Sequence, residues 1–337
     1  MKKLIVKILA AVLCVCAVTM AFASCGGGVG SFSINEKIVC EVGGTPITFD
    51  DYKYFFYSHL SQMKLIEPDT DFSTGENFER IKEMTEESLK RRQVILDLCD
   101  KYDIELTDDD DDNVDYYVST EIEKQGGEDE FIDYLLENRL TGDIFRSQTE
   151  LTFCYDLYLR DLLKHGIDKL IDMTPGAIIA DVTGGNFYRY TQIFLRLDPG
   201  ELSVPLEEDA REAYALLCSG ASFTSVASTY SEWNKDHSKG VYATLGEKEE
   251  ILEETVLGLE VGKFSEVVAS TEGYHIFKRL GVDAEYVAEN FEEFEEQYFN
   301  RKYLEFLDAE TAKVEIEYAK YFDSIDYADL TKKESYK

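Results

Sequence analysis

The sequence predicts an α+β chain in which helices dominate. Three observations carry this. The first and last portions consist of long stretches with apolar residues at helical spacing, a central portion alternates extended runs with short helical ones, and neither helical portion shows a complete core alone. At 337 residues the chain is long enough for two folded units. A hydrophobic content of 44% with 13% aromatic residues marks it as globular rather than disordered.

The charge balance narrows the partners. Thirty-four Lys and Arg stand against 68 Asp and Glu, a net charge of −34. Such a field repels phosphate backbones, which argues against nucleic acid, and its plain use is solubility, with attraction of basic clients as the other reading.

Residues 1–24 read as an export signal. Met1 to Lys7 is basic, Ile8 to Phe22 is apolar, and Ala23-Ser24 are small residues before a cut. Cys25 and Gly26-Gly27-Gly28 follow. The run Phe22-Ala23-Ser24-Cys25 resembles the lipobox of bacterial lipoproteins, with Phe22 where that family carries Leu or a similar aliphatic. The resemblance implies lipid attachment at Cys25, a Gly-rich tether over 25–36, and anchoring to the extracytoplasmic face of the bacterial cell membrane. The alternative is an ordinary secreted protein cut near Cys25. The remaining cysteines, Cys40, Cys99, Cys154 and Cys218, show no C-x-x-C spacing, so no metal site is expected; an exported chain could form one or two disulfides, but Cys99 and Cys154 on apolar helical stripes and Cys218 on the helix before Gly220 favour buried thiols.

In chain order, Ile38 to Val42, Gly43-Gly44, and Thr45 to Thr48 predict a strand, a turn and a strand. Thr48 caps a helix with Asp50 and Asp51 in its first turn and Tyr52, Phe55, Phe56, His59, Leu60 and Met63 on one face. His59 there reads as a packing residue. A long helix is expected over Phe78 to Tyr102. Asp108 to Asp112 lack the alternating ligand spacing and central Gly of a calcium loop, and with Thr107 before them read as an acid-rich helix start. Helices over Glu128 to Leu140, Gly142 to His165 and Pro175 to Val182 follow, and Gly184-Gly185 marks a hinge.

The central segment then gives an extended run (Tyr190 to Leu195), helices ending at Gly220 and Ser231, an irregular run from Gly240, a short apolar helix (Leu252 to Leu259) and a final strand, Gly273 to Lys278. Beyond it, Ala284 to Ala309 is helical and Ala312 to Tyr318 alternates as a strand.

The order of these central pieces, with small-x-Phe before Ala227-Ser228-Thr229-Tyr230-Ser231, Leu-x-x-Gly-x-x-Ser ending at Ser265, and Gly273-Tyr274-His275-Ile276, resembles the parvulin-type peptidyl-prolyl isomerase domain. The strand-turn-strand-helix entry resembles the chaperone segment of PrsA and SurA-like foldases. These resemblances imply a mainly helical, discontinuous chaperone domain (37–183 and 284–320, with a tail at 321–337) and an inserted parvulin-like α/β domain (187–281), a small antiparallel sheet flanked by helices.

They also imply a site. Parvulins use two histidines on neighbouring strands, a Cys or Asp between them, and apolar residues around the prolyl ring. The second histidine is His275, while the first falls on Gln192, the Cys or Asp on Trp233, and the pocket Phe on Leu252. Catalytic roles are expected at His275 and Gln192, and substrate contacts at Leu252, Trp233, Leu257 and Tyr274, with no cofactor. The implied function is an extracytoplasmic folding factor that binds unfolded or partly folded exported proteins, with reduced isomerase activity. The alternative is a non-enzymatic holdase whose degenerate domain only binds extended segments, His275 being kept for the fold.

Overall fold

The computed structural model describes residues 35–165, 170–197, 203–248, 250–270 and 272–333. The leader, Cys25 and nearly all of the tether lie outside them. The chain divides into two compact units, one formed by Asp172–Arg301 and the other by the chain up to Ile171 and from Lys302 onward. Among the described residues no helix is long and apolar enough to cross a membrane.

The discontinuous unit starts with β1 (Ile38–Val42) and β2 (Thr45–Thr48), joined through Gly43 and Gly44, both at positive φ as a tight hairpin turn requires. The other edge of β1 pairs antiparallel with β7 (Ile316–Tyr318), Val42 opposite Ile316 and Cys40 opposite Tyr318. Thr48 caps α1 (Phe49–Ile66): its hydroxyl accepts from the Asp51 amide at 3.1 Å, and the Asp51 carboxylate accepts from the Thr48 amide. The predicted face of α1, from Tyr52 to Met63, is buried. It packs on α2 (Gly75–Lys101), where Arg92 reaches Asp51 at 3.3 Å with both side chains almost fully buried. Breaking this buried pair by substituting either residue is expected to cost about 3–5 kcal/mol. His59 is also buried, bonded to Ser88 Oγ at 2.8 Å, and burial pulls its imidazole down to about 4.

Helices α3 (Asp108–Gln125), α4 (Glu128–Glu137), α5 (Gly142–Glu150) and α6 (Asp156–His165) follow. The Asp108 to Asp112 run is a helix start: Thr107 and Asp110 form a reciprocal capping box. The single helix expected over Gly142 to His165 is interrupted by a π-helical turn, Leu151–Tyr155. Of the tail expected over 321–337, residues 321–333 are described, and part of this stretch packs on the unit. Phe322 packs edge-on to Tyr52 at 5.2 Å, and Leu330 on α13 (Tyr327–Thr331) is buried.

The inserted unit is an antiparallel sheet in the order β4-β3-β6-β5, with β3 (Phe187–Arg196), β4 (Val241–Thr244), β5 (Val268–Ser270) and β6 (Gly273–Leu280). The irregular run expected after Gly240 is therefore a strand, paired from Tyr190–Val241 to Phe187–Thr244. Gly240, at φ 68°, passes so close to β3 that a Cβ there would lie 2.4 Å from the Tyr190 carbonyl oxygen. One sheet face packs through Ile193, Leu195 and Ile276 on α8 (Ser203–Cys218) and α9 (Phe223–Tyr230). The other carries Tyr188, Tyr190 and Phe277 against α10 (Glu250–Gly258).

This unit is wider than the expected 187–281. It includes α7 (Pro175–Asp181), α11 (Ala284–Glu289) and the first part of α12 (Glu295–Thr311), because Phe294 meets Phe187 at 6.0 Å, Tyr298 donates to the Asp172 carbonyl at 2.7 Å, and Arg301 pairs with Asp181. The helix expected from Ala284 to Ala309 breaks at Asn290 and a 3-10 turn, Phe291–Phe294. Cys40, Cys99 and Cys154 are buried free thiols, whereas Cys218, expected to be buried, is exposed. Its position falls on the outer side of α8, away from Ala210, Ala213 and Leu217.

Tyr303 and Leu307 on the second part of α12 are fully buried in the discontinuous unit. Leu307→Ala is expected to lower that unit's stability by about 2–5 kcal/mol. Urea unfolding with hydrogen exchange on β1 amides measures this, and an unshifted midpoint would show that the unit folds without its C-terminal part.

Candidate functional site

Strand alternation decides which side chains can meet. On β3, Tyr190, Gln192 and Phe194 share one face, and on β6 His275 and Phe277 share it too, since Phe194 lies opposite His275 and Gln192 opposite Phe277. Gly273 makes the turn into β6 possible: it sits at φ 142°, and a Cβ there would lie 2.1 Å from the Leu195 carbonyl oxygen.

His275 and Gln192 are thereby brought into contact, His275 Nδ1 to Gln192 Oε1 at 3.1 Å. An amide oxygen can only accept, so the imidazole carries its proton on Nδ1. Nε2 is then the acceptor, and the Ser270 hydroxyl on β5 donates to it at 2.8 Å. Phe194 stacks on the imidazole at 4.6 Å and Phe277 lies parallel to it at 5.4 Å. The ring is 3% exposed. Burial, with the nearby Lys248 charge, lowers its pKa from 6.5 to about 4, so it is neutral throughout the physiological range.

Gln192 lies at the edge of this buried group, 9% exposed, and its amide nitrogen has no partner among the described residues. The arrangement fixes the carboxamide oxygen toward His275 and leaves two N–H donors uncommitted.

Trp233 reaches the same face from the segment after α9. Ser231 Oγ accepts from both the Phe194 and the Trp233 amides, at 3.0 and 3.1 Å, and the Glu232 amide donates to the Phe194 carbonyl at 2.8 Å. These bonds fasten the segment to the β3 edge beyond the end of β4. The half-buried indole stacks on Tyr190 at 6.3 Å, and Lys248 Nζ stands 5.7 Å from the Tyr190 ring centroid. Leu252 and Leu257 on α10 pack against Tyr188, Tyr190 and Phe277. Arg279, also on this side of β6, holds the end of α10 by donating to the Leu257 and Leu259 carbonyls at 2.6 and 3.0 Å.

Five of the six residues expected at the site in this domain therefore gather on one sheet face. Tyr274 does not. As the immediate neighbour of His275 in a strand it points to the opposite face, where it packs against the α8–α9 core. Cys25 lies outside the described residues. Sequence reasoning missed Ser270, Phe194 and Phe277. The two aromatics were within reach, because each stands two residues from an expected site residue on the same strand.

The neutral imidazole yields a pH dependence. A histidine whose pKa is lower in the folded state than in the unfolded one binds its proton more weakly when folded, so stability falls as pH drops from about 6.5 toward 4. The His275 ring protons are expected to titrate with a midpoint near 4 by NMR. A midpoint close to 6.5 would mean that water reaches the ring.

Residues 191–281 match the family model described as Rotamase: PPIC-type PPIASE domain. Comparison with curated proteins finds no match. Among solved structures, the chain is similar to PrsA from Bacillus subtilis at 17% identity, over 82% of this chain and 93% of that one, with a TM-score of 0.28. It is similar to foldase protein PrsA from Streptococcus pneumoniae at 16% identity, over 80% and 89%, with a TM-score of 0.35. A structure described among SurA-like chaperones of Campylobacter jejuni matches at 15% identity over 84% and 99%, with a TM-score of 0.33. The segment 191–281, which carries most of the four-stranded sheet and the His275 face, is a PPIC-type peptidyl-prolyl isomerase domain by its match to that family model.

Proposed function

We propose that this chain is an extracytoplasmic protein-folding factor, lipid-anchored through Cys25, that binds unfolded exported polypeptides and isomerises their X-Pro bonds weakly at Gln192 and His275. The observation that carries the catalytic part is the orientation of Gln192. Rotation about an X-Pro bond breaks amide resonance against a barrier of about 18–20 kcal/mol. A catalyst must therefore interact better with the twisted amide than with the planar one. With its oxygen bonded to His275 Nδ1, Gln192 presents N–H donors beside Trp233 and Tyr190, where a prolyl ring would find apolar surface. His275 and Ser270 act through Gln192 as positioning residues; His275, neutral and enclosed, takes no proton from substrate. No cofactor enters this chemistry.

One preorganised donor aimed at a transition state is worth roughly 2.7–4 kcal/mol. Gln192→Leu should accordingly lower kcat/KM on a short Ala-Pro peptide by about two orders of magnitude while the circular dichroism spectrum stays unchanged. His275→Ala should do nearly as much by releasing the carboxamide, and Gln192→His should raise activity. A wild-type rate equal to that in buffer, with Gln192→His no faster, would retire the enzymatic reading.

The second reading, a holdase, is favoured by the near-complete burial of His275 and by Gln192 and Trp233 standing where parvulins carry His and Cys or Asp. Under it, Trp233→Ala weakens suppression of client aggregation and changes no isomerisation rate. The anchor has its own test. Cys25→Ala should release the protein from the membrane fraction or leave it unprocessed, and unchanged fractionation and migration would exclude lipid attachment.

A further inference from the structure

The side of the inserted sheet that carries Gln192 holds a cation with no acidic partner. Lys248 lies in the segment between β4 and α10, half-buried, with Nζ 5.7 Å from the centre of the Tyr190 ring. It makes no ion pair among the described residues, in a chain with 68 acidic side chains against 34 basic ones. The described carboxylates nearest to it in sequence are engaged elsewhere. Glu247 accepts from the Thr244 amide at 3.0 Å and from the Gln297 side-chain amide at 3.1 Å. Glu253, 3% exposed, accepts from the Gly246 amide at 2.9 and 3.0 Å. A half-buried ammonium has given up part of its hydration, so a counter-charge is worth more there than at the open surface.

Its place relative to the site is fixed by what shares Tyr190 with it. Trp233 stacks on that ring at 6.3 Å and Leu252 packs in the same cluster, so Lys248 borders the apolar surface where a prolyl ring would sit. Gln192 is two residues from Tyr190 on the same face of β3, about 7 Å along the strand. The charge of Lys248 reaches both sides of this group. Burial raises the Tyr190 phenol and Lys248 partly pulls it back, while burial and then Lys248 lower the His275 imidazole. Cation, apolar surface and amide donors therefore occupy one stretch of the sheet.

We propose that Lys248 is a specificity-determining residue that binds the side-chain carboxylate of an Asp or Glu adjacent to the substrate proline. Consecutive Cα atoms are about 3.8 Å apart, so with a proline seated against Tyr190 it is the neighbouring residue whose carboxylate comes within reach of an ammonium bordering the same ring. One ammonium balances one carboxylate, and a doubly charged group would bring surplus negative charge into a chain already at −34. The field of the whole molecule opposes acidic segments at long range. That field is screened beyond about 8 Å at physiological ionic strength, whereas a contact pair at a half-buried lysine is screened far less. The preference is thus for a single acid beside the proline and not for acidic segments as such. This rests on the proposed seating of proline at the Gln192 face and deepens it by naming the substrate class.

The test uses the full mature chain at about 0.15 M salt and short labelled peptides that share an Ala-Pro core. One is the core itself, two carry Glu directly before or directly after the proline, one carries Lys before it, and one carries Glu three residues away. Isomerisation is followed by NMR exchange and binding by anisotropy, so that affinity is read whether or not turnover occurs. At least one of the two peptides with an adjacent Glu is expected to exceed the Ala-Pro peptide by about fivefold in affinity and in kcat/KM, with no such gain for the distant Glu. Lys248→Ala should bring this ratio to about one, Lys248→Glu should turn it in favour of the Lys peptide, and Lys248→Arg should keep most of it.

An unchanged ratio in Lys248→Ala would overturn the assignment. Equal loss on every peptide would overturn it too, since Lys248 would then only brace Tyr190. So would loss of the preference in Arg196→Ala instead, because Arg196 is exposed and stands 5.8 Å from the Phe194 ring, at the other end of the same β3 face. Catalysis without any preference removes this assignment and leaves the isomerase reading. A preference in binding that Lys248→Ala abolishes, with no catalysis of any peptide, does the reverse. Absence of both binding and catalysis removes both.

Discussion

The pairing of β1 with β7 is the constraint on which the architecture rests. It joins Val42 to Ile316 and Cys40 to Tyr318, so the beginning and end of the described chain belong to one sheet. Between them the chain leaves that unit at Asp172 and comes back after Arg301. The return is secured by Tyr303 and Leu307 on α12, fully buried, and by Arg91 pairing with Asp308. The buried pair of Arg92 with Asp51 adds directionality at the other end, because Asp51 is at once the ion partner of α2 and the capping residue of α1. One carboxylate thus ties a strand end, a helix start and a second helix, which is why its loss would be felt beyond a single contact.

In the inserted unit the governing fact is that one sheet serves two different environments. The face toward α8 and α9 packs through Ile193, Leu195 and Ile276, while the other mixes aromatic rings with a line of three polar groups, Ser270, His275 and Gln192. Both imidazole nitrogens have partners suited to their donor and acceptor character, Gln192 Oε1 and the Ser270 hydroxyl, so the ring is tolerated in a low-dielectric setting and its tautomer is fixed. Lowering the histidine's pKa removes a charge that would otherwise have to be solvated there.

Much of this was legible in the residues, and the failures have physical causes. His275, Gln192 and Leu252 could be placed because the order of the central pieces and the run Gly273-Tyr274-His275-Ile276 carry the resemblance to parvulins, onto which these positions match. Tyr274 was placed wrongly because adjacency in sequence is the reverse of adjacency on a sheet face. Ser270 sits in a three-residue strand, too short for any period to register. β4 reads as irregular because its pairing with β3 is specified by Gly240 and by the partner strand, neither of which is a local apolar pattern. Phe322 and Leu330 are too sparse to announce a packed segment. The π-helical turn is invisible for a related reason: one extra residue in a long helix leaves the apolar spacing on either side intact.

The interleaving of the two units also governs the order in which they can form. The inserted unit is complete once Arg301 has been made, whereas β1 waits for residues 316–318 before it can pair on both edges. During vectorial synthesis the helices from α1 to α6 must persist without their last strand while a whole second domain is produced. Their contacts with the C-terminal segment have high sequence separation, which slows closure and prolongs exposure of apolar surface. A chain with this connectivity spends its own early life in the condition of a partly folded protein, and the slow phase of its refolding should belong to the docking of its last thirty or so residues.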